Sequence, residues 1–286
     1  MAGIGIIGGS GLYDIEGLTD IEKIRLDTPF GSPSDEFVRG KLEGKEIVFL
    51  PRHGKGHKIL PSELNYRANI YGMKKLDVER IISVSAVGSL KEEIKPRDFL
   101  LPDQFVDRTN QARKTTFFGQ GIVAHIGFAE PVCPVLSERL FQAGQKLGIS
   151  IHPKGTYLNM EGPAFSTRAE SNLYRSWGMD IIGMTNMPEA RLAREAEICY
   201  VTLAMVTDYD CWRPAEETVS VDLIIQNMRK NIQNAKKLIK LAISGIPEGR
   251  DCLCANALRQ AIVTSPEEIT PEIKKRLDII IGKYEL

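Results

Sequence analysis

Two short stretches of this chain concentrate enough reactive side chains to build chemistry on. Pro51-Arg52-His53-Gly54-Lys55-Gly56-His57-Lys58 holds five residues able to carry positive charge among eight, in a chain whose formal net charge is zero. So local a patch suits a small anion better than a polymer: Arg52 can clamp phosphate oxygens through two N–H groups, and His53 can donate another bond. A solvated basic loop is the plain alternative. His53 and His57 have a metal-pair spacing for a helix, but Gly54 and Gly56 argue against one and no acidic ligand is adjacent, so no metal is expected there. The second stretch is Asp208-Tyr209-Asp210-Cys211-Trp212. In extended backbone, Asp208 and Asp210 project to one side and Tyr209 to the other. Two adjacent carboxylates repel, so one pKa rises and that group can donate a proton. A hard-cation site and a solvated turn are the competing readings.

Three weaker stretches share one property: each follows a short apolar run. Gly8-Gly9-Ser10-Gly11 can aim backbone N–H groups and a hydroxyl at a phosphate, or form a simple tight turn. In Ser83-Val84-Ser85-Ala86-Val87-Gly88-Ser89 small residues let backbone approach a ligand, with Ser85 offering a hydroxyl; close backbone packing explains them equally. Gly183-Met184-Thr185-Asn186-Met187-Pro188-Glu189 leads into a helix start, where Thr185 is either an anion contact or an ordinary cap. Gly3, Gly5 and Gly8 also spell G-x-G-x-x-G, but they lie inside the first apolar run, where the dinucleotide fingerprint should follow a strand.

The elements that position these stretches are legible from periodicity. Gly3 to Ile7, Ile47 to Leu50, Ile81 to Val87, Asp98 to Leu101, Ile181 to Met184 and Tyr200 to Val206 are β-rich runs, mostly of the kind buried on both faces. Pro134 to Leu147, Thr167 to Trp177, Met187 to Glu197, Val221 to Ile243 and a segment around Pro271 to Ile281 have helical spacing, with Thr167 and Glu170 as a capping box. Alternation of strand and helix predicts a single α/β domain over 1–286, a central mixed, largely parallel sheet flanked by helices on both sides. A C-terminal helical segment from about 220 to 286 packs on it. In such sheets ligands sit beyond the carboxyl ends of strands.

The 286 residues are 43% hydrophobic, with 37 basic and 37 acidic residues, which is core enough for a globular α/β chain and no global field for nucleic acid or an anionic membrane. No apolar run spans a bilayer and the N-terminus lacks a signal-peptide pattern, so a cytoplasmic chain is expected. The cysteines (Cys133, Cys199, Cys211, Cys252, Cys254) show no paired Cys-x-x-Cys, so no structural zinc site is expected. Cys252-Leu253-Cys254 is either two loop thiols or a strained bridge; Cys252–Cys254 and Cys133–Cys199 are the expected disulfides, if any form.

Taken in order, Gly8-Gly9-Ser10-Gly11, Arg52-His53-Gly54, Ser85 to Leu90, Glu161 to Glu170, Met184 to Glu189 and Thr207 to Trp212 resemble the motifs of the trimeric purine nucleoside phosphorylases, over about residues 3 to 245. Within them, the likeness is greatest to the branch acting on 5′-methylthioadenosine. The resemblance implies phosphorolysis with inorganic phosphate as co-substrate and no cofactor or metal. It places Ser10, Arg52, His53, Ser85, Ala86 and Thr185 on phosphate, and Ser10 and Ser85 stand where most relatives have Thr. Met184 would lie against the ribose, Phe165 and Ser166 in the base pocket, and Asp208, Tyr209 and Asp210 at the purine. His125 would reach a neighbouring subunit's 5′ pocket, walled by Val221 and Ile224, in a homotrimer or a hexamer of two trimers. Asp208 is then the general acid to N7 and Asp210 the acceptor from the 6-amino group. A 6-oxo group would be repelled by this pair, so adenine nucleosides are favoured over inosine and guanosine. A broad-range or 6-oxopurine phosphorylase is the nearest alternative, and a nicotinamide oxidoreductase with Asp27 on the ribose, or a non-catalytic phosphate-binding module, are more distant ones.

Overall fold

The six β-rich runs all become strands, and the chain order in which they pair decides where their ends lie. The structure is a computed structural model and describes residues 3–12, 14–110, 112–213 and 221–285, without the side chains of Ser10 and of 221–224. The first half contains β1 (Gly3–Gly8), β2 (Thr19–Ile24), β3 (Phe37–Leu42), β4 (Lys45–Pro51), α1 (Tyr66–Lys75), β5 (Val78–Ser89), β6 (Phe99–Leu100), β7 (Gln104–Arg108) and α2 (Pro134–Lys146). The second contains β8 (Ile151–His152), β9 (Thr156–Met160), α3 (Arg168–Ser176), β10 (Ile181–Gly183), α4 (Asn186–Glu195), β11 (Cys199–Asp208), α5 (Val221–Gly245), α6 (Pro271–Arg276) and α7 (Asp278–Ile281).

Among the described residues, all eleven strands join one mixed sheet. Its centre is parallel: β1 pairs with β4 and β5, and β11 pairs with β5. These strands are apolar at nearly every position because both faces are covered. Ile4, Ile6, Ile47 and Phe49 enter the layer under α2 and α5, whereas Ile7, Val48 and Leu50 enter the layer under α1, α4 and the C-terminal helices. The α/β fold with helices on both faces is therefore as expected. The glycines of the false dinucleotide fingerprint have a packing reason. A Cβ on Gly5 would lie 2.9 Å from Met73 Sδ, and one on Gly8 would lie 2.4 Å from Leu12 Cδ1.

Near its end, β5 changes partner. Its last residues pair antiparallel with β10, Ser89 opposite Ile181 and Gly88 opposite Ile182. That reversal directs the chain after Gly183 back toward the earlier residues of β5, where Asn186 Nδ2 reaches Ser83 Oγ. The Thr167–Glu170 capping box forms as expected at α3. The expected C-terminal helix is two pieces, α6 and α7, separated at Leu277. Among the described residues no helix is long and apolar enough to cross a membrane.

Candidate active site

The ends of β1, β4, β5, β10 and β11 converge through specific tethers. Beyond β4, the Arg52 N–H donates to Gly8 O at 2.9 Å, holding the basic loop against the glycine loop. Arg52 is buried, and its side chain is fully engaged: Nε and Nη2 donate to Glu189 at 2.5 and 3.1 Å, Nη2 to Ser83 Oγ at 2.6 Å, and Nη1 to Val84 O at 2.9 Å. The fork that the sequence suggests for phosphate is held here by Glu189. A guanidinium taken out of water needs a counter-charge, and the Glu189 carboxylate of α4 occupies the fork. Glu189 also accepts from Ser83 Oγ at 2.8 Å and Tyr200 OH at 3.0 Å. Asn186 Nδ2 bonds Ser83 Oγ, Tyr200 OH and Thr202 Oγ1 at 3.1, 2.9 and 2.7 Å, closing a polar floor beneath the strand ends.

His53 is also presented differently from the sequence expectation. Its Nδ1 lies 2.8 Å from Ile59 O, and a carbonyl can only accept, so the proton sits on Nδ1. Burial, with the neighbouring Arg52 charge, lowers its pKa to about 4. The neutral ring leaves Nε2 as a bare lone pair, an acceptor where a donor was expected. The ring stacks on His57 with centroids 4.3 Å apart, on a loop turned by positive φ at Gly54, Gly56 and His57.

Two hydroxyls face this loop's side of the sheet. Thr185 is the N-cap of α4, buried, and its side chain makes no capping hydrogen bond. Ser85 Oγ has a 3.5 Å contact to the adjacent Ala86 carbonyl and faces the buried Tyr157 hydroxyl. Hydroxyls beside a helix N-terminus suit an oxyanion. Just before Thr185, the Met184 carbonyl accepts from Arg113 Nη1 at 2.5 Å and Asn159 Nδ2 at 3.3 Å. A Cβ on Gly162, at φ 68°, would lie 2.5 Å from Met184 Sδ, so only glycine lets the 161–166 loop pass over that side chain. Arg113 ties the same loop down through Glu161 Oε1 at 3.1 Å and Glu161 O at 2.5 Å.

At the end of β11 the register slips by one residue between Val206 and Asp208, placing Asp208 opposite Gly88. The bulge turns Asp208 toward the β5 end. Its exposed carbonyls are met by α5: Asn231 Nδ2 bonds Val206 O and Asn227 Nδ2 bonds Thr207 O, both at 2.8 Å. Extended geometry does not persist beyond this point, which corrects the expectation of side-by-side carboxylates on a strand. Asp210 has φ 53° and its N–H donates to Asp208 Oδ1 at 2.8 Å, a tight Asx turn. Gly88 leaves room for both, since a Cβ there would meet Asp208 Oδ1 at 3.0 Å and Asp210 Cβ at 3.3 Å. Burial raises the Asp208 pKa first; repulsion from Asp210 adds to it, against the bonds from Thr207 Oγ1 and the Asp210 amide. Asp210 is raised chiefly by burial too, while its carboxyl faces the hydroxyls of Ser171 and Ser166. Cys211 Sγ donates to Ser166 O at 3.1 Å, joining the base loop to this turn.

The remaining expected residues divide. Ser166 is buried beside Asp210, whereas Phe165 is 69% exposed. The Tyr209 hydroxyl points at Glu92 O, 3.4 Å away, while its ring packs edge-on against Trp212, away from the carboxylates. His125 is exposed, held by its backbone to Ala261 at 2.8 Å beside the C-terminal segment. The side chains of Ser10, Val221 and Ile224 lie outside the described residues. The sequence reading missed Ser83, Asn159, Arg113, Asn186, Glu189, Asn227 and Asn231 as site residues. Glu189 and Asn186 stand inside a stretch it singled out, but there they look like ordinary first-turn helix residues.

A carboxyl with a raised pKa at the end of β11 stands beside small residues and hydroxyls at the ends of β5 and β10, an arrangement that suits a glycosidic phosphorylase. The phosphorylase superfamily description matches residues 3–244, and this chain belongs to that family. It is 62% identical to the S-methyl-5′-thioadenosine phosphorylase of Geobacter sulfurreducens, over 98% of both chains. It is 54% identical to that of Synechocystis over 99% of this chain and 88% of the other. Among solved structures it is similar to a methylthioadenosine phosphorylase from an antarctic soil metagenomic library, with TM-score 0.93, 52% identity and 98% of each chain covered. It is also similar to a variant of the adenosine/methylthioadenosine phosphorylase of Schistosoma mansoni in complex with methylthioadenosine, with TM-score 0.84, 36% identity, and 91% and 96% covered.

Proposed function

We propose that this chain catalyses the phosphorolysis of 5′-methylthioadenosine, releasing adenine and 5-methylthioribose 1-phosphate. The observation that supports this most is the half-buried Asp208, with its raised pKa, three residues along β5 from Ser85 by its pairing to Gly88. That is about 10 Å of strand, room for a ribose between an anion and a purine. Hydrogenphosphate binds between the Ser85, Ala86 and Thr185 end and the basic loop, with Ser10 as a further hydroxyl. Arg52 holds the polar floor through Glu189, and His53 Nε2 accepts the phosphate's own O–H. A phosphate oxygen attacks C1′ as the bond to N9 breaks, and Asp208 delivers a proton to N7 of the departing adenine. The proton lost by the phosphate balances the one gained by the base. Met184 lies along the ribose, and Asp210 with Ser166 reads the 6-amino side.

The reaction needs small molecules alone: no cofactor, nucleic acid or membrane takes part in this reading, and its setting is the cytoplasm. We place Phe165 and the exposed His125 against neighbouring protomers or substrate, with Val221 and Ile224 as an apolar wall, in a homotrimer or hexamer. Base release from methylthioadenosine, adenosine and inosine, each with and without phosphate, tests the proposal. Adenine release from methylthioadenosine that requires phosphate, with slow release from inosine, is expected. Hypoxanthine release at an equal rate would keep the phosphorylase and overturn the base assignment. Light scattering of the pure protein tests the assembly, and a monomer with full activity would refute the shared pocket.

A further inference from the structure

Four of the five cysteines, far apart in sequence, meet at one point on the side of the fold away from the reaction. Cys133 is the N-cap of α2, Cys199 opens β11, and Cys252 and Cys254 lie on the segment after α5. Their sulfur atoms all lie within 4.8 Å of one another, with Cys133, Cys199 and Cys254 buried and Cys252 half-buried. All are free thiols, and Cys199 and Cys252, a pair the sequence reading did not couple, are 3.3 Å apart. Both expected disulfides are thereby corrected. The expectation of no structural zinc site rested on spacing, and spacing fails here because three separate segments supply the sulfurs.

We infer that Cys133, Cys199, Cys252 and Cys254 form a tetrathiolate site for one soft divalent transition ion, zinc in the first place, that fastens the C-terminal segment to the sheet. A tetrahedral ion bonded at about 2.3 Å sets its thiolates about 3.8 Å apart. The observed cluster reaches that arrangement by shifts of under about an ångström per sulfur. A four-sulfur, oxygen-free donor set selects zinc or ferrous iron over harder cations. Basic side chains next to the site offset part of the net charge of about −2 that such a centre carries, with Glu79 paired to Arg80 and Arg250 and Asp251 on the same cavity. Arg80, Arg139 and Arg250 line the cavity against Cys133, Cys199 and Cys252. Arg80 is fixed by Glu248 O and Gly249 O at 3.1 and 2.6 Å, and Arg250 by Glu197 O at 2.7 Å.

The site's role is structural. Cys199 and Asp208 are the two ends of one strand, nine residues and so about 30 Å apart. The ion replaces packing that a half-buried loop lacks, and its removal would loosen residues 247–258 before it touched the chemistry.

The test uses full-length protein expressed with added zinc and purified under reducing conditions without chelator. Elemental analysis should give about one zinc per protomer, and cobalt exchanged into the site should show the intense visible bands and sulfur-to-cobalt charge transfer of a tetrahedral tetrathiolate. Cys254→Ser and Cys199→Ser should hold less than a tenth of that metal, while Cys211→Ser, outside the cluster, should keep it. Zinc removal by a mercurial and a chelator should lower the melting temperature and leave kcat for base release within about twofold. Iron in place of zinc in the purified protein, at one per protomer, would uphold the site and change the ion. No bound metal with all five thiols titrating, or a mass four hydrogens lower with no metal, would overturn it. The latter would mean two disulfides. Neither wild-type result depends on whether a variant folds.

Discussion

Arg52 and Glu189, 137 residues apart in sequence, form a buried two-point ion pair, Nε to Oε1 at 2.5 Å and Nη2 to Oε2 at 3.1 Å. The pair fastens the loop after β4 to the first turn of α4, the two elements that flank the proposed phosphate position. Its net contribution to stability is small, because both charges leave water, but breaking it is costly. Glu189→Ala should lower unfolding free energy by about 3–5 kcal/mol and raise the KM for phosphate, as Ser83, Tyr200 and Arg52 lose their common acceptor. Glu189→Gln should do less of both. Thermal unfolding together with phosphate kinetics would check this, and a Glu189→Ala protein with unchanged melting temperature would remove the pair from the argument.

The fixed tautomer of His53 makes a prediction about anions. With Nδ1–H committed to Ile59 O, Nε2 welcomes an oxygen that bears a proton and repels one that does not. Sulfate should therefore compete with phosphate poorly at pH 6 and pH 8 alike, because the ring takes up a proton only as pH falls toward about 4. A lone unfavourable contact of this kind is worth about 1–3 kcal/mol, or roughly 10- to 100-fold in Ki. His53→Gln, which can turn an amide N–H toward the anion, should erase the discrimination. Sulfate inhibition as tight as phosphate binding at pH 6 and pH 8 in the wild type would show that His53 does not face the anion in this form.

Asp208→Asn keeps the shape of the side chain and removes its proton-transfer capacity. Turnover of methylthioadenosine should fall by on the order of 10²–10⁴-fold. The ratio of inosine to methylthioadenosine activity should rise, because an amide can donate to a 6-oxo group. Because burial raises the Asp208 pKa and the acid form is the working one, wild-type kcat should decline as pH rises through that pKa. The variant should lack that limb. An unaltered kcat with methylthioadenosine would move the general acid elsewhere.

Glu195 gives the fold a pH dependence separate from the reaction. Its carboxyl is buried between α4 and the 116–117 backbone, accepting from Thr116 Oγ1 and the Phe117 N–H at 2.7 Å each. Burial outweighs those bonds and raises its pKa from 4.5 to about 7. The folded protein thus holds this proton more tightly than the unfolded chain. The stabilisation is complete below about pH 4.5 and is lost as pH rises through about 7. Melting temperature should drop from pH 6 to pH 8, and Glu195→Gln should flatten that drop. A variant with the wild-type slope would assign the pH dependence to other groups.

What the sequence by itself determined was the set of elements and the chemistry at their ends. The continuous apolar runs of β1, β4, β5 and β11 were readable because strands buried on both faces have no polar phase to confuse. The residues that follow them were then the natural place to look. α1 escaped notice because Arg67, Asn69 and Gly72 interrupt its apolar pattern, and Gly72 is there so that Phe37 can pack against it, a Cβ lying 2.4 Å from Phe37 Cζ. β2 escaped because Thr19–Ile24 is an exposed edge with little alternation. The tertiary structure alone decided which end meets which. The reversal of β10 against β5 carries Thr185 to Ser85, and the one-residue bulge in β11 sets Asp208 against Gly88. Strand order alone puts Glu189 under Arg52 and gathers Cys133, Cys199, Cys252 and Cys254 at a single point. Periodicity is a local record of which face a residue turns to the core, whereas the pairing of distant charges and sulfurs depends on how the sheet is ordered, and no local spacing encodes that order.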